Sequence, residues 1–307
     1  MIMEKNIKIS HSNFIYFIGT AKGKYAIKFY PTWASKTINL ELILNKLLLR
    51  NGLLTPFMHN KKNVPFIKTC EYLAACYDYI EGKALYEQDI DHKIIKEMNE
   101  SLLKIKTILA DAKINSGITT YLENEDISKK INFLTYSSEN IDISKNKRLI
   151  DRVIKYLSTA YIINNGHFTP KPIHANASLS NIILYENKVY LLDLSHVKLD
   201  YELNDLAHLI ISCFFHNISS KIIKMIILSY FNTHNLDLKK LRILTFFIQL
   251  GLIKEYFRIY REEKQARDYK SKPEGFGIYL SEIEKRKNLI TCLIKQLSFE
   301  RKIDFYP

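Results

Sequence analysis

Cysteine is scarce in this chain of 307 residues: Cys70, Cys76, Cys213 and Cys292 form no CxxC pair and no His/Cys cluster at metal-ligand spacing. That leaves no disulfide framework or thiolate metal site to build on, and reduced thiols in a cytosolic protein are the simplest account. Seven prolines and nine glycines leave little room for a long flexible linker, and no internal repeat or low-complexity tract stands out. The longest apolar runs, such as Leu206 to Phe215 and Ile222 to Phe231, are broken by polar residues before they reach the length of a membrane span. At the start, MIMEKNIKIS has polar and charged residues where a signal peptide would carry its apolar core. The expectation is a soluble cytoplasmic protein with no membrane partner.

Acidic residues are also in the minority, 32 against 45 Lys and Arg, for a formal charge of +13. Arg258, Arg261, Lys264, Arg267, Lys270 and Lys272 form a basic run. Such a run either attracts an anionic partner or is the solvated face of a helix. No specific nucleic-acid-binding motif accompanies it. With 47% hydrophobic and 12% aromatic residues, the chain can bury the core of one large or two moderate domains.

What is present is concentrated between His174 and Asp193, HANASLSNIILYENKVYLLD. Kinases place a histidine two residues before a catalytic aspartate, then an asparagine and a second aspartate that hold magnesium against nucleotide phosphates. Here the positions read His174, Asn176, Asn181 and Asp193. Magnesium favours oxygen ligands and leaves room for phosphates, so an amide carbonyl and a carboxylate suit it. The apolar runs Ile182 to Tyr185 and Val189 to Leu192, around Glu186, Asn187 and Lys188, read as a β-hairpin. A hairpin would bring Asn181 and Asp193 to one point.

Upstream, KYAIKFY alternates as a strand with Ala26, Lys28 and Tyr30 on one face. Asn13 to Gly19 is the expected preceding strand. Ser35 to Arg50 reads as a helix stopped by Asn51 and Gly52, with Glu41 on its apolar stripe beside Leu44 and Leu48. A carboxylate there needs a cation, and Lys28 is the natural partner for a pair that sets a lysine on phosphates.

In this order of motifs the chain resembles the aminoglycoside phosphotransferase and choline kinase group of kinase-like folds, nearest to the bacterial spore-coat CotS-like and homoserine-kinase-like members. The resemblance rests on YAIKFY, Glu41, CYDYIEGKAL (Cys76 to Leu85), HANASLSN, LLDLSHVKLD and NDLAHLI. It runs from about Asn13 to the early two hundreds and weakens in the C-terminal third. It implies an α+β, bilobal protein-kinase-like fold: a small antiparallel β-sheet lobe with one helix, and a larger, mainly helical lobe. It further implies ATP and Mg2+ as cofactors, Lys28, Glu41, Asp78 and Tyr79 for the nucleotide, Asn181 and Asp193 for the metal, and His174 and Asn176 in the catalytic loop. Two departures stand out. The family's loop usually reads HGDLHPGN, so Asn176 occupies the place of the general base, and the usual DFD is Asp193, Leu194, Ser195 here. An amide can orient a hydroxyl but cannot take its proton. Phosphoryl transfer depends mainly on positioning and charge neutralisation, so the expected activity is an ATP-dependent phosphotransfer to a hydroxyl of a small molecule or peptide. The alternative is a pseudokinase, a nucleotide-binding or structural partner protein in a spore coat or a biosynthetic complex.

The lobe boundary is expected at the hinge, residues 1–80 forming the nucleotide lobe and 81–307 the helical lobe with the acceptor site. Ile94, Met98, Leu102, Ile105 and Leu109 recur at helical spacing. Further helices are predicted at Asp205 to His216, Lys221 to Phe231, Lys239 to Glu262 and Ile278 to Leu297. The polar stretch Ala112 to Asn146 reads as the rim of an acceptor site or a solvated loop with a short helix.

Overall fold

The structure is a computed structural model that describes residues 7–9, 14–85, 90–111, 122, 126–140, 146–164, 170–231, 238–268, 285 and 288. Three strands open the chain: β1 (Ile7–Ile9), β2 (Phe14–Thr20) and β3 (Gly23–Pro31). After α1 (Ser35–Arg50) come β4 (Phe66–Lys68) and β5 (Tyr72–Asp78). The five strands form one antiparallel sheet in the order β1-β2-β3-β5-β4, with Lys28 opposite Ala75 and Tyr25 opposite Asp78. Alternation puts Lys28 and Tyr30 on the buried face of β3, as the sequence pattern requires. Their face packs with Ile38 and Leu42 of α1, and with Leu73, Ala75 and Tyr77 of β5, in a small core of its own. The helix stops where expected, because Gly52 takes a positive φ of 78° and Leu53 N–H reaches back to the Leu48 carbonyl.

Beyond the hinge the chain pairs β6 (Lys83–Ala84) with β8 (Ile182–Tyr185), which forms a hairpin with β9 (Lys188–Leu191). The hairpin turn is Glu186 and Asn187, both with positive φ, 50° and 57°; two such residues match the right-handed twist of the strands. Gly82 lies so close to β8 that a Cβ there would sit 2.2 Å from Ile183 Cγ2 and 2.6 Å from the Leu184 carbonyl oxygen. A second short sheet pairs β7 (Lys171–Ile173) with β10 (Lys198–Asp200).

The helices are α2 (His92–Ala110), α3 (Ile127–Asn140), α4 (Lys147–Asn164), α5 (Glu202–Phe215), α6 (Ser220–Tyr230) and α7 (Leu238–Asp268). Asp91 caps α2 by accepting the Ile94 N–H at 2.8 Å. All five periodic residues of α2, Ile94 to Leu109, are buried in the larger core, each worth about 1.5–3 kcal/mol against exposure. The fold is thus the bilobal α+β arrangement that the resemblance implied. The two cores meet at α1: Ile38 and Leu42 belong to the small one, Leu44 and Leu48 to the large one.

Three sequence expectations change. The polar stretch from Ala112 to Asn146 contains the 14-residue α3, whose Ile127, Ile131 and Leu134 enter the core, so burial at helical spacing outweighs its polar average. The helix α4 was not anticipated, although Ile150, Val153, Ile154 and Leu157 line one buried face. α7 runs past Glu262 to Asp268. The expected helix at 278–297 lies outside the described residues, apart from 285 and 288. In the basic run, Arg258 is paired with Glu255 and Glu262 on its own helix, and Arg261 lies over the Phe133 ring at 5.2 Å.

Candidate functional site

The site is assembled from β3, the loop after β7, and the segment after β9. His174 and Ala175 leave β7 directly above α5. There Asp205 accepts the His174 N–H at 2.8 Å and the Ala175 N–H at 2.7 Å. Ala175 has a φ of 60°, an unusual conformation for a residue with a side chain, held by that bidentate grip. Burial raises the Asp205 carboxyl to about 7, against which the two backbone N–H groups pull downward. Asp205 is a residue the sequence reading passed over. Its signal was an acid inside the apolar run LNDLAHLI.

His174 is fully buried and donates from Nε2 to the Leu192 carbonyl at 2.8 Å. A carbonyl only accepts, so the ring proton is on Nε2 and Nδ1 is a buried lone pair without a partner among the described residues. Burial lowers its pKa to about 4, so the ring is neutral at physiological pH. The histidine therefore ties the loop to the segment that carries Asp193.

The loop then folds on itself. The Asn176 carbonyl accepts from Ser178 N–H at 2.8 Å and from Asn181 Nδ2 at 3.0 Å. With Nδ2 of Asn181 committed to that carbonyl, its Oδ1 makes no hydrogen bond with a described residue. The Asn181 carbonyl accepts the Leu192 N–H at 2.8 Å, which brings the two ends of the hairpin together as its sequence pattern predicted. The Asn176 side chain is half-buried and makes no hydrogen bond with a described residue.

Asp193 has φ 60° and ψ 64°, a left-handed conformation that costs energy for an aspartate and recurs at functional sites. Its Oδ1 receives Lys28 Nζ at 2.5 Å and Ser195 Oγ at 2.5 Å, and His196 Nε2 stands 3.5 Å from Oδ2. Burial pushes this carboxyl up, but the His196 ring and the Lys28 ammonium outweigh it and hold Asp193 well below the usual carboxylate range. It stays ionised at any physiological pH.

Lys28 and Glu41 are both buried on facing elements, yet they are not in ion-pair contact. Lys28 turns to Asp193, and Glu41 Oε2 accepts from Tyr30 Oη at 2.8 Å. Burial raises the Glu41 carboxyl, while the Lys28 field and the hydroxyls of Tyr30 and Tyr77 oppose that rise. Neither tyrosine was singled out in sequence, although Tyr30 shares the Lys28 face of the strand.

Asp78 and Tyr79 sit at the end of β5, apart from this cluster. Their N–H groups are already bonded, Asp78 to the Phe57 carbonyl at 2.9 Å and Tyr79 to the Lys24 carbonyl at 3.1 Å. The Asp78 carboxylate pairs with His59 at 2.7 Å. A cleft of about 660 Å³ on the hinge is lined by Thr20, Lys24, Tyr79, Ile80, Glu81 and Tyr185 among others, and reaches neither Lys28 nor Asp193. Among the described residues no three His, Cys, Asp or Glu side chains cluster as metal ligands, and no helix is long and apolar enough to cross a membrane.

No family model matches the chain, and no curated protein matches it in sequence. Solved structures do match. A spectinomycin phosphotransferase in complex with ADP and spectinomycin superposes with a TM-score of 0.67 at 15% identity, over 95% of this chain and 92% of that one. An aminoglycoside 2'-phosphotransferase in complex with GDP gives 0.65 at 14% identity, over 94% and 92%. A choline kinase from Streptococcus pneumoniae gives 0.62 at 16% identity, over 95% and 94%. The chain has the kinase-like fold that aminoglycoside phosphotransferases and choline kinases share. At these identities the fold is what is held in common.

Proposed function

We propose that this protein is an ATP-dependent phosphotransferase acting on a hydroxyl of a small molecule or peptide. The observation that carries the reading is the convergence of Lys28, Asp193 and the Asn181 loop: ammonium to carboxylate at 2.5 Å, and Asn181 carbonyl to Leu192 N–H at 2.8 Å. The donor set fits magnesium, because one ionised carboxylate and one amide oxygen leave room for water and phosphate oxygens. Asn181 and Asp193 would hold the ion, whose chemistry when bound is to neutralise charge on the phosphates.

The chain's own residues then have distinct tasks. Lys28 supplies a buried ammonium for the phosphates, and Glu41 a counter-charge behind it. Asp78, Tyr79 and the hinge they begin would meet the base; with both N–H groups engaged, contact there falls to their carbonyls and side chains and to Ile80. His174 and Asp205 fix the loop so that Asn176 faces the acceptor. Asn176 orients the hydroxyl by hydrogen bonding, and the proton leaves to solvent or to the phosphate rather than to a carboxylate. Placement and electrostatics carry most of such a reaction.

The test is transfer of labelled γ-phosphate to hydroxyl compounds and peptides, with phosphate release to water as the default acceptor. Asp193→Ala serves as the blank. The ADP and GDP of the two phosphotransferase complexes make ATP and GTP the pair of donors to compare. Turnover that depends on Asp193 supports the reading. Nucleotide binding without turnover favours the second reading, a pseudokinase acting as nucleotide-binding or structural partner of another protein, in a cytoplasmic biosynthetic complex or a spore coat. That reading rests on the amide at Asn176. General base catalysis contributes about 100- to 10,000-fold, so its loss weakens a kinase without abolishing it.

A further inference from the structure

We propose that Tyr30 is a positioning residue for Lys28, standing between the lysine and Glu41 where a direct ion pair was expected. The inference rests on the nucleotide-binding reading above and assigns a new part to the site. Lys28 Nζ lies 4.8 Å from the centroid of the Tyr30 ring, and the hydroxyl of the same ring donates to Glu41 at 2.8 Å. One side chain therefore touches both the ammonium and the carboxylate. An ammonium over a tyrosine face is held by the ring quadrupole, and more strongly where water is excluded; Lys28 and Tyr30 are both buried.

The hydroxyl has one proton to give. If it goes to Glu41, then at the 2.8 Å contact between Tyr30 Oη and Tyr77 Oη the donor must be Tyr77. The chain of hydrogen bonds thus runs in one direction, from β5 through β3 to α1, and ends on a carboxylate that is 3% exposed. Hydrogen bonds to the charged form favour it, so the tyrosines work against the upward push that burial gives the Glu41 carboxyl.

This matters because Asp193 serves three partners. Its Oδ1 accepts from both Lys28 and Ser195, and His196 Nε2 stands 3.5 Å from its Oδ2, so the charge of Asp193 is not reserved for the lysine. Glu41 is a second buried carboxylate whose field reaches Lys28, at a position that the Tyr30 hydroxyl holds. A lysine without that field is less well placed on phosphates.

Calorimetric titration with two probes tests this: magnesium-ATP, which needs Lys28, and adenosine, which has no phosphate. Tyr30→Phe keeps the ring and the packing and removes only the hydroxyl. The expected result is about tenfold weaker magnesium-ATP binding, the scale of one charge-assisted hydrogen bond, with adenosine binding unchanged. Tyr30→Leu, which removes the ring as well, should weaken magnesium-ATP further. In a Glu41→Gln background the effect of Tyr30→Phe should shrink below about twofold, since contacting residues are not additive. Should Tyr30→Phe fail to fold in a thermal scan, Tyr77→Phe, which breaks the same chain one step earlier, should weaken magnesium-ATP in the same direction. Equal weakening of both probes would mean a structural tyrosine and overturn the proposal, as would unchanged magnesium-ATP binding in the variant. A wild-type protein that binds adenosine but gains nothing from the phosphates would overturn it through Lys28. One that binds neither probe would bring down the nucleotide reading itself.

Discussion

Asp205 holds the loop after β7 through two backbone N–H groups while buried at 2% exposure, and this makes Asp205→Asn an informative perturbation. The folded-state value near 7 lies above the ordinary 3.8, so the native protein binds the proton more tightly than the unfolded chain. The stability contributed by this group is full below about pH 4 and is lost as pH rises through about 7. A gap of roughly three units corresponds to up to about 4 kcal/mol. Asn is neutral at every pH and nearly isosteric. The variant should therefore gain on wild type as pH rises from 4 to 7, and above pH 7 it should be as stable or more stable. Function should move the other way. Asn offers one acceptor oxygen where the carboxylate offers two, so one of the two N–H groups loses its partner, the loop loosens and phosphate turnover falls. Urea unfolding of both proteins at a series of pH values measures the first effect, and labelled-phosphate release the second. A stability difference that is flat across that range, or that grows in favour of Asp205 with pH, would refute the reasoning.

Asn176→Asp should raise phosphate turnover, by up to about 100- to 10,000-fold if proton transfer limits the rate, because the loop is held through the Asn176 carbonyl and not its amide; no gain in a variant that binds nucleotide would favour the pseudokinase reading. Gly82→Ala should destabilise by about 2 kcal/mol or more in chemical denaturation, since its Cβ would meet the Leu184 carbonyl oxygen at 2.6 Å; an unchanged midpoint would mean that hinge and hairpin separate freely.

The small lobe was legible because its signals are local, alternation around Lys28 and a helix with a Gly52 stop, and so was the hairpin of the large lobe, whose turn was read as Glu186 to Lys188 and is the two residues Glu186 and Asn187 because Lys188 already belongs to β9. The hairpin also forecast that its two ends would pair, as the Leu192 N–H bond to the Asn181 carbonyl does. What the sequence left open depends on long-range packing. Lys28 had two acids to choose from, and strand spacing cannot tell that Tyr30 would take Glu41 and leave the ammonium to Asp193. Asp205 was hidden for the same reason, since its partners are main-chain groups about thirty residues away. The helices α3 and α4 carried readable apolar stripes, and the polar average of their surroundings obscured them.

Titration of the wild-type protein and Lys28→Ala with ATP, with and without magnesium, tests the central claim most directly. The account predicts saturable binding that magnesium strengthens and that Lys28→Ala weakens by at least about tenfold, the scale of a charged contact to phosphate. No heat and no thermal shift at millimolar ATP, in either condition, would contradict it and leave the fold as a scaffold.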